Sequence, residues 1–284
     1  MKKTAVLLIL LVCVIRAFAQ HERLGHIADS IVTEGTALYH SEWASWYGTD
    51  IFVDKCAAKR SLSGGYLSYE TNNNLINIFF SKGDDPLVIA TISFEKDFNP
   101  GNYKLDTVER KLNKTERDYY TIRMAALKVA TSDTTFKHYN NTGLNVVPLI
   151  QKDAKKAYIL TSPKPNGVII FGNDYLVNFD KGNEISSVKR LHKNIIPIYT
   201  KADSGKTITG SIHSHLPETG DFITATDICT LMLYEKFTTW NTHTVISKNY
   251  ISIWDCKKNI LAILTMEAWK KIDEDRKPPH PNKE

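Results

Sequence analysis

Gly210-Ser211-Ile212-His213-Ser214-His215, followed after a loop by Thr224-Ala225-Thr226-Asp227, is the stretch around which the chain can be organised. The first six residues close a predicted strand over 207–213, and the last four open a predicted helix over 225–237. Residues i and i+2 of a strand face the same way, so His213 and His215 can aim at one point. Their imidazoles, about 7 Å apart along an extended chain, can share a metal if the strand end bends slightly. Asp227, in the first turn of the returning helix, supplies a third, oxygen ligand. Two histidines and a carboxylate around an open fourth position make a hydrolytic zinc arrangement. Such an ion lowers the pKa of its bound water to about 7 and polarises a carbonyl. A plainer reading stands beside this one. Thr224 to Asp227 is also an ordinary N-terminal capping box, and the histidines are then polar residues near a loop.

Outward from this stretch, short β-rich runs precede it at 157–161, 167–171, 175–179 and 195–199. Two closely joined runs, 243–248 and 250–256, follow the helix, then a strand at 260–265 and a short helix at 267–272. Before residue 150 the texture differs. Ile27, Ile31, Leu38, Tyr39, Trp43, Trp46 and Tyr47 have helical spacing, with Gly35 as a local weakness and Gly48 as the expected stop. Trp43, Trp46 and Tyr47 read as a core-facing aromatic stripe. Residues 66–70, the Asn72-Asn73-Asn74 turn and residues 75–80 form a hairpin, and a third strand covers 87–94. A second helical stretch covers 107–131, with capping boxes at Asp106/Glu109 and Thr115/Asp118. The fold class is therefore α+β: an N-terminal helix and antiparallel meander packed with a mixed α/β-sheet C-terminal region. The expected units are residues 20–150, residues 151–270 and a charged tail, 271–284.

Charge and targeting narrow the function. The 284 residues carry a formal net charge of +5 and 42% apolar side chains, which argues against disorder. Lys2 and Lys3, an apolar run over 5–15 and Ala17-Phe18-Ala19 read as a secretory signal peptide over residues 1–19. The run is short for a membrane span, so no stable span is expected after cleavage, and the mature protein is exported, periplasmic or secreted. Cleavage removes Lys2, Lys3 and Arg16 and no acid, so the charge falls by three to +2. The remaining bases are scattered among acids, which excludes a nucleic-acid footprint. Cys56, Cys229 and Cys256 remain; they allow one disulfide and have no zinc-finger spacing.

The run Gly210-x-x-His213-Ser214-His215 with Thr224-x-x-Asp227 resembles the signature of the JAMM (JAB/MPN) metallopeptidases. In that family a small residue and His-Ser/Thr-His-Pro precede a loop and Ser/Thr-x-x-Asp at a helix start, and members with the full motif are zinc isopeptidases. The resemblance, over about residues 155–265, implies that His213, His215 and Asp227 ligate zinc. It implies that Thr224 replaces the serine that helps stabilise the oxyanion. Leu216-Pro217 stands where the family has proline directly, and the loop to Thr224 is about one residue longer than usual. The family also needs an upstream glutamate as general acid/base, a role worth about 10²–10⁴-fold. Glu184 is the only glutamate between Arg117 and Ile212, and Glu218 and Asp221 are substitutes in the loop. His192 is a further candidate ligand. The expectation is an exported zinc hydrolase acting on an amide or isopeptide bond, with a peptide or protein as substrate. The alternative is a non-catalytic secreted binding or interaction module on the same scaffold.

Overall fold

A computed structural model describes residues 2–152, 154–201 and 206–276. Helix α1 (Lys2–Lys55) is unbroken, so it runs through residue 20 and past the stop expected at Gly48. Gly48 serves a different purpose. A Cβ there would lie 2.2 Å from Asn77 Oδ1, so the missing side chain lets the helix press on the sheet beneath it. Gly35 does the same on another face, where a Cβ would meet Ile228 Cβ at 2.6 Å. The aromatic stripe faces inward: Trp43 is buried, and Trp46 packs edge-on against Tyr234 at 5.5 Å.

The front sheet contains β1 (Ser63–Glu70), β2 (Asn74–Ser81), β3 (Leu87–Glu95), β4 (Tyr103–Asp106) and β5 (Arg110–Lys111), all antiparallel. The expected hairpin and third strand are present. The second helix, α2 (Lys114–Ser132), starts later than expected, and neither anticipated capping box caps it. Asp106 closes β4 and accepts the Val108 N–H at 2.9 Å, which makes a turn. The cap is Asn113, whose side chain and that of Glu116 satisfy each other's backbone N–H groups at 2.9 Å. Glu116 also binds Arg110 through both oxygens at 2.7 Å, tying residues 110–111 into the sheet.

Three sheets form in the rear half among the described residues. The first, in the order β10-β9-β7-β6, contains β6 (Thr142–Gln151), β7 (Ala154–Pro163), β9 (Tyr175–Phe179) and β10 (Ile185–Arg190). A two-stranded sheet pairs β8 (Val168–Gly172) with β11 (Ile195–Tyr199). The third runs β12 (Gly210–Ser214), β13 (Thr242–Ile246), β14 (Tyr250–Asp255), β15 (Ile260–Thr265). Helix α3 (Ala225–Tyr234) connects β12 to β13, and those two strands are parallel. Strands β6 and β10 are additions to the expected pattern. The last helix, α4 (Met266–Arg276), is longer than expected and takes in the start of the predicted tail; residues 277–284 lie outside the described residues.

The α+β class is therefore observed, and α1 is its common spine. Trp43 and Phe52 pack with Leu75, Phe79 and Phe94 of the front sheet. Leu38 packs with Val147, Tyr158, Cys229 and Leu233 of the rear half. Cys56, Cys229 and Cys256 are buried and unpaired, so the disulfide that their number allows does not form. Among the described residues no helix is long and apolar enough to cross a membrane.

Candidate metal centre

The centre begins with strand alternation. Strand β12 runs along β13 with Ser211 opposite His243 and His213 opposite Val245. Ser211, His213 and His215 thus share a side, as the i, i+2 rule requires. His215 lies one residue past the strand, where its N–H still donates to Ile246 O at 2.8 Å. Opposite them is the N-terminus of α3. There the capping box is real: Thr224 Oγ1 accepts the Asp227 N–H at 3.1 Å, and Asp227 Oδ2 accepts the Thr224 N–H at 2.9 Å. Capping and ligation are compatible, because a carboxylate offers about four lone-pair directions.

The structure brings His213, His215 and Asp227 together and adds His192. All four are buried, and one ligand atom from each lies within 4.8 Å of the others. His215 Nε2 is 3.0 Å from His192 Nε2 and 3.1 Å from His213 Nε2. Asp227 Oδ2 lies 3.4 Å from His215 Nε2 and 3.7 Å from His192 Nε2, and its other oxygen, Oδ1, lies 3.8 Å from His213 Nε2. Ligands about 2.0–2.1 Å from a tetrahedral ion are about 3.3–3.4 Å apart, and the shortest of these spacings fall close to that length. The group can hold a metal ion.

Proton accounting gives the physical reason. His192 Nδ1 is 2.6 Å from Asp174 Oδ1, a pure acceptor when ionised, so the ring proton sits on Nδ1 and a neutral His192 turns a bare Nε2 inward. His213 Nδ1 is likewise engaged, 2.9 Å from His243 Nε2. His215 Nε2 faces both of the other Nε2 atoms, and one proton there can serve only one of them. His215 Nδ1 is buried without a partner. Acceptors therefore converge on acceptors, an arrangement that a cation or an added proton resolves. The Asp227 and Asp174 carboxylates together balance the charge of one divalent ion.

Titration follows the same geometry. Burial opposes a charge on His192, but Asp227 and Asp174 outweigh it and raise its pKa to about 9. Burial lowers His213 to about 4, with the neighbouring histidines adding to the effect. Burial and His213 lower His243 to about 3. Burial alone would raise Asp227, yet His192, His213 and His215 hold its carboxyl well below the usual range. Metal-free, the cluster keeps its balance by holding a proton on His192; an ion would displace that proton.

Of the other expected residues, the three acids lie elsewhere and Thr224 lies beside Asp227. Glu184 is exposed in the β9–β10 turn, where its N–H donates to Asp180 Oδ1 at 2.9 Å. Asp174 and His192 flank the opposite end of that hairpin, about 20 Å away along the strand. Glu218 forms an exposed ion pair with Lys193 at 3.7 Å, and Asp221 accepts from Asn249 Nδ2. The Thr224 hydroxyl is engaged by Asp227, on which it donates to Oδ2 at 2.8 Å, and by Thr226. Thr224 thus orients the ligand carboxylate. Two residues absent from the sequence reading take part. Asp174 accepts the His192 ring and backbone N–H groups and the Thr226 hydroxyl. His243 backs His213. Asp174 follows a strand as an ordinary turn residue, and His243 opens a strand; only the fold reveals their partners. A cavity of about 370 Å³, lined by His192, Asn194, Ile196, Ile212, His213 and Leu216, reaches the centre from one side.

Comparison with known proteins adds no family. No protein-family profile matches the chain, and no curated protein matches it. Among solved structures it is weakly similar to the β-propeller domain of Nup133 from Vanderwaltozyma polyspora, with 9% identity and a TM-score of 0.14. That alignment covers 76% of this chain and 44% of the propeller chain, so the chain spans less than half of that domain's length.

Proposed function

We propose that this chain is an exported zinc protein whose rear half is a JAMM-like scaffold carrying a closed, non-catalytic metal centre. The observation that carries this reading is the fourth side chain: His192 stands where a hydrolytic site keeps a water. Four protein ligands are the pattern of structural zinc, three that of catalytic zinc. Several contacts hold His192 in place. Asp174 accepts both its ring and its backbone N–H, Arg190 Nε donates to its carbonyl at 3.2 Å, and the neighbouring Asn173 N–H donates to Asn194 O at 3.1 Å. Three imidazole nitrogens and one carboxylate suit zinc better than magnesium or calcium, which prefer more oxygen ligands. The module then acts by binding a peptide or protein partner, with the ion holding β12, α3 and the loop after β10 together. Export rests on the charged and apolar pattern of residues 1–19.

The cavity against His192 and His213 favours a second reading, amide or isopeptide hydrolysis. In it, zinc supplies Lewis-acid polarisation and a nucleophilic water. His192, its ring fixed by Asp174, would then take the proton-handling part for which the sequence suggested Glu184, leaving His213, His215 and Asp227 to hold the zinc. One experiment separates the two. Purified mature protein is assayed for metal content and for hydrolysis of isopeptide-linked and cell-wall peptides. The binding-module reading expects one zinc per chain and no turnover. Turnover by the wild type that disappears in Asp227→Asn would overturn it in favour of the hydrolase. Equal zinc in the wild type and in the His213→Ala/His215→Ala double variant would remove the metal centre altogether.

A further inference from the structure

His243 is fully buried, yet it is not one of the four clustered ligands. Its ring stacks on Phe171 at 4.7 Å between centroids and 15° between planes, with Trp240 at 6.1 Å and 28°. Both of its nitrogens have partners: Nε2 meets His213 Nδ1 at 2.9 Å, and Nδ1 meets Ser211 Oγ at 2.7 Å. The parallel β12–β13 register, which sets Ser211 opposite His243, builds this chain.

The protons in it can be assigned from the centre outward. To face an ion, His213 must present a bare Nε2, so its proton belongs on Nδ1 and needs an acceptor. His243 Nε2 is that acceptor, so the His243 proton lies on Nδ1 and is donated to Ser211 Oγ. A ligand histidine is commonly backed by a carboxylate, a backbone carbonyl or water. A carboxylate here would add a third negative charge around a divalent ion that Asp174 and Asp227 already balance. A neutral imidazole, packed against the Phe171 and Trp240 rings, fixes the same tautomer without that charge.

We infer that His243 is a positioning residue for the metal centre: it sets the tautomer and plane of His213, and Ser211 sets its own. This rests on the zinc-binding reading above. The test is competitive zinc titration of the full chain, comparing the wild type with His243→Leu, His243→Gln and Ser211→Ala. Leucine removes the acceptor, and a 10–100-fold loss of zinc affinity is expected. Glutamine restores an acceptor at similar reach and should recover most of that loss. Ser211→Ala, at a half-buried position, should cost several-fold without disturbing the packing of His243 on Phe171. Ring nitrogen spectra of the zinc-loaded wild type should show His243 protonated at Nδ1. This last measurement decides the matter if His243→Leu fails to fold. Wild-type affinity in His243→Leu, no recovery with glutamine, or a proton on His243 Nε2 would each overturn the inference while leaving the zinc centre intact. A wild type that binds no zinc would remove both.

Discussion

Two buried polar clusters, one around Glu42 and one around Asp227, are built on opposite principles. Around Glu42, on α1, donors meet acceptors. Asn145 Nδ2 donates to both carboxylate oxygens at 2.8 and 2.7 Å, Tyr66 donates to Asn145 Oδ1 at 3.2 Å, and the Arg123 guanidinium lies 5.3 Å from the Tyr66 ring centre. The cluster around Asp227 instead turns three imidazole nitrogens and a carboxylate toward one another. The first pairs its carboxylate with a protein donor and ties α1 to β1 and β6, although Arg123 Nε within it is buried without a partner; the second is complete only with a cation or an added proton. Burial alone does not mark a functional site. A deficit of donors does.

The largest expected effect breaks the second cluster outright. Removing two ligands, as in His213→Ala/His215→Ala, should abolish bound zinc as measured by elemental analysis of purified protein. Glu42→Gln should leave the metal content unchanged. Loss of zinc in Glu42→Gln would show that the clusters are coupled. Asp174→Asn comes next. It keeps the shape but weakens the orientation of His192, and a 10–100-fold loss of zinc affinity by competition titration is expected.

The first cluster should announce itself through pH. Burial raises Glu42 to about 7 from 4.5, against the opposing effects of Asn145 and Arg123. A raised carboxyl contributes its stability in full below the unfolded value and loses it as pH rises through the folded one. Stability should therefore fall by up to about 3 kcal/mol between pH 4.5 and 7.5, and Glu42→Gln should flatten that slope in denaturant titrations. Zinc saturation should not change this part of the profile, because the ion touches neither Glu42 nor its partners. The smallest effect belongs to Glu184→Gln. At an exposed turn it should alter stability by less than about 0.5 kcal/mol and metal content not at all. A lost ion there would place Glu184 in the centre after all.

What could be read in the sequence was local. The shared side of His213 and His215 and the capping geometry of Asp227 each depend on a few consecutive residues, and both are present. His192 was visible as a candidate but not as a neighbour, because the β9–β10 hairpin alone carries it to the centre. His243 and Asp174 depend on a parallel register and on a loop crossing, which no short-range pattern records. Gly48 read as a helix stop because glycine commonly ends helices; here it is a contact point for Asn77. Strand β10 lacks alternation because nearly every residue in it is exposed, and β6, carrying Pro148, is an edge strand beginning inside a loop signal.

Gly35 carries one more consequence. A methyl group there would strike Ile228, the residue after Asp227, within the first turn of α3. Any side chain at position 35 would push α3 off α1 and carry the carboxylate away from its three imidazoles. The first helix is therefore a ruler for the candidate metal centre. The methyl group missing at Gly35, nearly two hundred residues upstream in the chain, sets how far Asp227 can reach.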